Sequence, residues 1–297
     1  MHSQHSFVAH AETAAAPRGF GHVWRRFSRN RLALVALAFL VVVHAAAILA
    51  HALAPYPPDA VDLLQRFAAR SREHPLGTDE TGRDVLSRLI FGGRISLSVG
   101  FAAMAVAVTV GVAMGALGGY HGGLVDAVVM RMADGMLTVP TFFLALLVLA
   151  LFGSGTLNVI LVIGLTGWMV VARVVRAEVL RVLPQEFVAA ARALGCRDGH
   201  ILLRHVMPQA VPSVIVAATL GVAYAILVES GLSYLGLGVQ PPTPTWGNML
   251  SGAQYYVWNR PDLAIYPGVM IMLSVLSYNA LGDALRDALD PRFTGVS

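Results

Sequence analysis

The sequence predicts an all-α integral membrane protein with six transmembrane helices and with its N- and C-termini in the cytoplasm. Three observations carry that prediction. Of the 297 residues 56% are hydrophobic and only 13% are charged, against about 25% charged in soluble domains, and the mean hydropathy is +0.66. Six stretches reach the roughly 20 apolar residues needed to cross a bilayer core of about 30 Å. Arginines gather before the first of them, which is the pattern of a cytoplasmic flank.

Residues 1–31 read as a cytoplasmic tail, with an Ala-rich start and the basic stretch "WRRFSRN" at its end. The first span runs from Leu32 to Ala54. A cleaved signal peptide is the competing reading, because small residues near Ala54 suit cleavage, but this run exceeds the usual 7–15 residues of an h-region. Residues 55–94 form an extracytoplasmic segment, and residues 95–285 a core of five spans. The second span covers Ile95–Gly119 and the third Met132–Phe152, interrupted by Asp134 and Pro140. The fourth is Leu157–Val175, the fifth Val211–Gly236 and the sixth Ala264–Leu285, before a cytoplasmic tail over 286–297.

Arginine placement sets the orientation. Arg18, Arg25, Arg26, Arg29 and Arg31 precede span one, and six spans return the C-terminus to the same side. Fourteen arginines then face the cytoplasm and seven face outward. Six of those seven lie in 55–94, beside six acids, so the bias is real but imperfect.

Composition also excludes chemistry. All 21 basic residues are arginine, which removes a Walker A lysine, a Schiff base and a lysine general base. The single cysteine, Cys196, rules out an intramolecular disulfide and Cys-rich metal sites. A net charge of +4 follows from span-flanking arginines and gives no reason to expect nucleic acid as a partner. His2, His5 and His10 are loosely spaced, His200 and His205 lie at i, i+5, and neither set has metal-ligand spacing. No Ser lies in a nucleophile elbow, so no catalytic residue is assigned.

One polar stretch stands between spans four and five. The cytoplasmic loop 178–210 contains "EFVAAARALGCRDGHILLRHVMP", which reads as two short helices broken at Gly195. Glu186 suits a helix start. Phe187, Ala190, Ala191 and Leu194 follow at i, i+3, i+4 and i+7 and make a narrow apolar stripe, and Pro208 is expected to stop the second helix. Such a stripe must be buried against its own bundle, the membrane surface or a partner. Small alanines favour close protein packing over lipid.

This loop resembles the cytoplasmic motif of binding-protein-dependent ABC importer permeases, EAA-x-x-x-G closed by I-x-L-P. The matching positions are Ala189, Ala190, Ala191 and Gly195, then His205, Val206, Met207 and Pro208. Ala189 replaces the acidic residue, His205 the Ile and Met207 the Leu. The stretches "HPLGTDETGRDVLSRLIFGGRISLSVG" (74–100), "SGLSYLGLGVQPPTPTWGNML" (230–250) and "LGDALRDALDPR" (281–292) are similar to signatures of the dipeptide, oligopeptide and nickel branch, closest to its C-type subunit.

The resemblance implies a type I importer permease fold and a subunit that hydrolyses nothing itself. Its implied partners are a second, B-type permease, two ABC ATPase subunits that bind ATP and Mg, an extracytoplasmic substrate-binding protein, and membrane lipid. No cofactor is implied in this chain. The implied cargo is a dipeptide or oligopeptide, with nickel or another peptide-like solute as the alternative, and the implied site is the bacterial inner membrane. Glu186, Phe187, Ala190, Ala191, Leu194, Gly195 and Pro208 become the coupling loop to an ATPase.

Other features have two readings each. Gly77-Thr78-Asp79 and Gly82-Arg83-Asp84 have the turn chemistry of a folded outer segment entering a helix, either a structural cap or a docking elbow for the binding protein. Gly111 and Gly115 form a GxxxG pair in span two, for internal packing or for the partner permease. Arg131 and Asp134 are spaced to pair, and Arg173 and Arg176 read as anchors that snorkel to the cytoplasmic surface. Glu229 lies in the outer half of span five, where a charge needs a partner or water, so it either pairs within the protein, caps the segment Gly231–Gly238, or lines the translocation path. A proton-coupled secondary transporter would use such a residue, and a membrane enzyme would need convergent polar groups, yet neither requires the 186–208 hairpin.

Overall fold

A computed structural model describes residues 20–289. The tail up to residue 19, with His2, His5 and His10, lies outside the described residues, as do 290–297, the end of the last signature. The described residues are mostly helical, with one isolated bridge between Thr78 and Asp84 and no strand among them.

Five helices are long and apolar enough to cross a membrane, and a bent pair adds a sixth passage if its halves form one span. A short helix α1 (Phe20–Phe27) precedes α2 (Arg31–Ile48), which Asn30 caps by accepting a hydrogen bond from the Ala33 amide at 3.1 Å. One further turn, α3 (Ala50–Leu53), completes the expected first span. Phe27 and Ala33 pack on Ala284 and Ala288 near the C-terminal end, so the first and last helices meet.

Helix α4 (Val85–His121) starts at Val85 rather than at Ile95. Its 37 residues span about 55 Å, well beyond a bilayer core, so part of the helix extends past the hydrocarbon region. Asp84 is its N-cap and accepts from the Ser87 amide at 2.7 Å. The third expected span, Met132–Phe152, is instead two helices, α5 (Gly123–Leu137) and α6 (Thr141–Phe152), bent by 84°. Pro140 is the cause: it lacks an N–H and drives Val139 out of helical geometry, so α5 cannot continue and α6 begins at Thr141.

Helix α7 (Thr156–Val182) is followed by α8 (Glu186–Ala193) and by α9 (Asp198–His200). α9 runs through a π-helical stretch, Ile201–Val206, straight into α10 (Met207–Tyr234). Pro208 therefore does not stop a helix, as its sequence position suggested. It lies in the first turn of α10, where a missing N–H is tolerated, and the π register just before it absorbs the mismatch. Helix α11 (Trp246–Ala253) and the long α12 (Asp262–Leu289) complete the chain.

The tightest contact in the bundle is between α4 and α7. At Gly111 an added Cβ would lie 2.6 Å from the Val171 Cβ and 2.7 Å from the Trp168 carbonyl, and at Gly115 it would run into the Ala172 carbonyl. The GxxxG pair is thus spent inside the chain, which is how small residues let backbones touch where lipid removes the hydrophobic drive. The charges expected to snorkel bridge helices instead. Arg176 forks onto Asp126 at 2.5 and 2.6 Å, and Arg173 takes Asp134 at 2.5 Å, in place of the expected Arg131.

Gly115→Leu should separate α4 from α7 and lower the stability of the detergent-solubilised protein by at least about 1–3 kcal/mol, the usual cost of overpacking. Gly135→Ala, where an added Cβ meets nothing within 4 Å, should leave thermal unfolding unchanged. Thermal denaturation of the two variants side by side checks this.

Candidate functional site

The expected coupling loop is a rigid bracket with one face buried and one bare. α8 follows α7 after a three-residue turn, and its first residue, Glu186, is exposed in the positive end of the helix dipole. Val188 (0% exposed) and Ala191 turn inward and join the core cluster that contains Val175, Val179 and Val182 of α7 and Ile201 and Val206 beyond the turn. Burying a valine side chain contributes about 1.5–3 kcal/mol, enough to hold a short helix that would not persist alone. Gly195 sits at φ +80°, a left-handed conformation that closes α8, and the Cys196 amide reaches back to the Ala191 carbonyl at 3.1 Å.

The outward face carries Phe187, Ala190 and Leu194, spaced i, i+3 and i+7, and none of them has found cover. Phe187 is 44% exposed and Leu194 is 85% exposed. Ala191 belongs to the buried side, so the stripe is narrower than its spacing suggested. Pro208 lies beyond the turn, in the first turn of α10, and is exposed.

Glu229 sits in a different place from either open surface. It is 0% exposed, and its carboxyl group accepts from Ser96 Oγ at 2.9 Å and from Ser233 Oγ at 2.7 Å, with Ser230 Oγ at 3.4 Å. Each principal hydroxyl in turn accepts a backbone N–H, Ser96 from Trp246 at 3.2 Å and Ser233 from Val239 at 3.1 Å. These chains of donors tie α4, α10 and the start of α11 together and fold the segment after Tyr234 back over the helix end. Trp246, fully buried, donates its indole N–H to the Leu89 carbonyl at 3.0 Å, and a Thr245–Asn248 capping box opens α11. Of the readings open for Glu229, its hydrogen bonds are those of pairing within the chain; the amides of Leu235, Leu237 and Gly238 go to the Gly231 and Leu232 carbonyls instead. Ser233, at i+4, is within helical reach of Glu229, whereas Ser96, 133 residues away, leaves no signal in the sequence.

The segment 55–84 is a polar platform at the start of α4, at the opposite end of that helix from Tyr120. Asp79 accepts from the Thr81 and Arg83 amides at 2.8 and 3.1 Å and from Arg83 Nε at 2.7 Å, while buried Arg88 approaches at 3.4 Å. His74 Nδ1 meets Asp84 at 2.9 Å and stacks on Tyr56. Arg260 locks the platform to α12 by donating to the Phe67 carbonyl and to both Asp262 oxygens.

A cavity of about 880 Å³ opens between α4, α7, α10 and the end of α12. Its wall is apolar along Met104, Ala107 and Leu220 and turns polar at the α8 end, where Ser213 Oγ donates to Glu178 at 2.6 Å and Arg181 pairs with the same carboxylate at 2.7 Å. Glu229 does not line it.

Residues 96–295 match the family of binding-protein-dependent transport system inner membrane components, and residues 20–73 match the N-terminal TM domain of oligopeptide transport permease C. Among curated relatives, the dipeptide transport system permease protein of Alkalihalophilus pseudofirmus is 37% identical over 94% of this chain and 91% of its own length. The nickel transport system permease protein of Escherichia coli is 39% identical over 88% and 93%, respectively. The glutathione transport system permease protein of Pectobacterium atrosepticum is 38% identical over 91% and 90%. A solved structure of the MetNI methionine ABC transporter in an inward-facing conformation aligns with a TM-score of 0.56 at 17% identity, over 68% of this chain and 97% of that one, and so shares its fold.

Glu229→Ala should strand the Ser96 and Ser233 hydroxyls and cost about 1–3 kcal/mol for each orphaned buried donor, whereas Glu229→Gln, which keeps an acceptor oxygen, should cost less. Thermal unfolding in detergent reads the order native, Gln, Ala.

Proposed function

The chain belongs to the binding-protein-dependent transport system inner membrane components, the permease subunits of ABC importers, and on that premise we propose how it couples and what it carries. It is a multi-pass inner-membrane permease subunit and is not itself an ATPase.

In our reading the bracket around α8 is the coupling helix, its stripe of Phe187, Ala190 and Leu194 seated in a cleft of an ABC ATPase that supplies ATP, Mg and hydrolysis. Glu186 at the helix start and Gly195 at its end shape that surface, Ala191 anchors it from behind, and Pro208 sets the joint with α10. The observation that carries this reading is a bare apolar stripe on a helix whose other face is locked into the core. Closure of an ATPase pair moves the bracket, and the attached helices tilt to alternate access to a path shared with a second, B-type permease. The cavity between α4, α7 and α10 is our candidate for this chain's share of the path. That places both termini in the cytoplasm and the platform outside, where an extracytoplasmic binding protein delivers the cargo.

The cargo we favour is a dipeptide or oligopeptide, supported by the oligopeptide permease match and the dipeptide relative. Nickel is the second reading, since the Escherichia coli nickel permease is as similar to this chain as the peptide ones. A proton-coupled transporter finds little support, because Glu229 is enclosed by hydroxyls of its own chain.

Leu194→Arg, alone or with Phe187→Ala, should leave the protein folded and inserted, since both side chains are outside the core. Co-purification of the ATPase subunits and ATP-dependent uptake of labelled dipeptide should fall at least about tenfold, as expected when an apolar anchor at the centre of an interface is lost. Full retention of both would remove the docking role. Uptake that persists in vesicles lacking the ATPases would favour the proton-coupled reading.

A further inference from the structure

The bracket is fastened to the helices on its two sides in different ways. At the end of α4, Tyr120 donates its phenol hydrogen to Asp198 Oδ1 at 2.6 Å, a bond between residues 78 apart that joins α4 to the first residue of α9. The Tyr120 ring rests on the cluster that buries Val179, Val188 and Ala191. Donation to a carboxylate is among the stronger hydrogen bonds, and it is directional.

Toward α10 the fastening is compliant. Between Asp198 and the first turn of α10 lies the π-helical stretch Ile201–Val206, in which the Met207 amide reaches the Leu202 carbonyl five residues back. Pro208 and Pro212 follow within the next two turns, so two amide donors are missing where the helix leaves the bracket. A π stretch in mid-helix is a common place for a helix to bend.

We propose that Tyr120 is a positioning residue that latches the coupling bracket to α4 through Asp198, while Ile201–Val206 is the joint at which the bracket flexes against α10. The proposal rests on the coupling reading above and adds the route that motion takes. α4, α7 and the bracket move as one body, because the α4–α7 backbones already touch at Gly111 and Gly115. α10 follows with a lag set by the π stretch, which changes the wall of the cavity that α10 shares with α4 and α7.

The test uses the complete importer in lipid nanodiscs, resting and trapped with ATP and vanadate, in a Cys196→Ser background. Spin labels are placed at Ala193 with Thr109 on α4, and at Ala193 with Ile215 on α10, all exposed positions. The Ala193–Thr109 distance should stay constant on trapping while Ala193–Ile215 shifts by more than about 2 Å, the upper end of ordinary helix shifts at interfaces. In Tyr120→Phe the Ala193–Thr109 distance should shift as well, and Asp198→Asn, which keeps an acceptor oxygen, should preserve the native pattern. A shift of Ala193–Thr109 in the native protein, or its constancy in Tyr120→Phe, overturns the latch. ATPase co-purification with Leu194→Arg reports on the coupling reading separately. If the ATPases stay bound there, coupling through this face falls and the latch with it; if they are lost while the distances disagree, the latch alone falls.

Discussion

The close approach of α4 and α7 is the constraint on which the rest of the molecule depends. Between apolar helices in lipid there is no hydrophobic drive to association, so contact must come from packing that lipid chains cannot match. Gly111 and Gly115 supply it by bringing the α4 backbone against the Trp168 and Ala172 carbonyls of α7. Everything polar hangs from that pair. α4 carries the polar platform at its start and Tyr120 at its end, and α7 delivers the bracket directly from its last turn.

Polar groups then make the connections that apolar packing leaves open. Glu229 draws three elements around one carboxyl group through Ser96, Ser233 and the backbone amides behind them. Asp126 and Asp134 hold the α5 side to α7 through Arg176 and Arg173. These interactions are directional, so they fix the angles between helices as well as their proximity. At the bracket the same logic runs in reverse. Val188 and Ala191 provide the non-directional burial, and Phe187, Ala190 and Leu194 are left exposed.

Much of this was legible in the residues, and the misses have physical causes. Run length located the apolar helices, Gly82-Arg83-Asp84 marked the entry to α4, and the 187/190/191/194 spacing contained the three residues that stay bare. The ten residues of α4 ahead of the expected span, Val85–Arg94, include Arg88 and Arg94, which lower local hydropathy without breaking a helix. Pro140 was visible as an interruption, but an 84° bend is a property of how two helices pack and leaves no trace in spacing. Pro208 looked like a stop signal, and only the π stretch ahead of it shows how the helix passes through. Ala191 was assigned to the stripe because alanine reads as apolar on either face; its neighbour Val188, β-branched and fully buried, was the better marker of the inward side. Arg173 and Arg176 were read as lipid anchors since their acids lie 39 and 50 residues away.

The bend between α5 and α6 bears on how the protein reaches the membrane. The twelve residues of α6 extend about 18 Å, too short for a bilayer core of about 30 Å, although every one of them from Phe142 to Phe152 is apolar. During synthesis α6 emerges before α7, yet it cannot hold a transmembrane position by itself. Its Ala145 and Leu149 are buried against Val159, Val162 and Ile163 of α7. The unit that partitions into lipid is therefore the α6–α7 hairpin. Gly153 and Gly155, both at positive φ, make the turn that lets the two arms lie side by side.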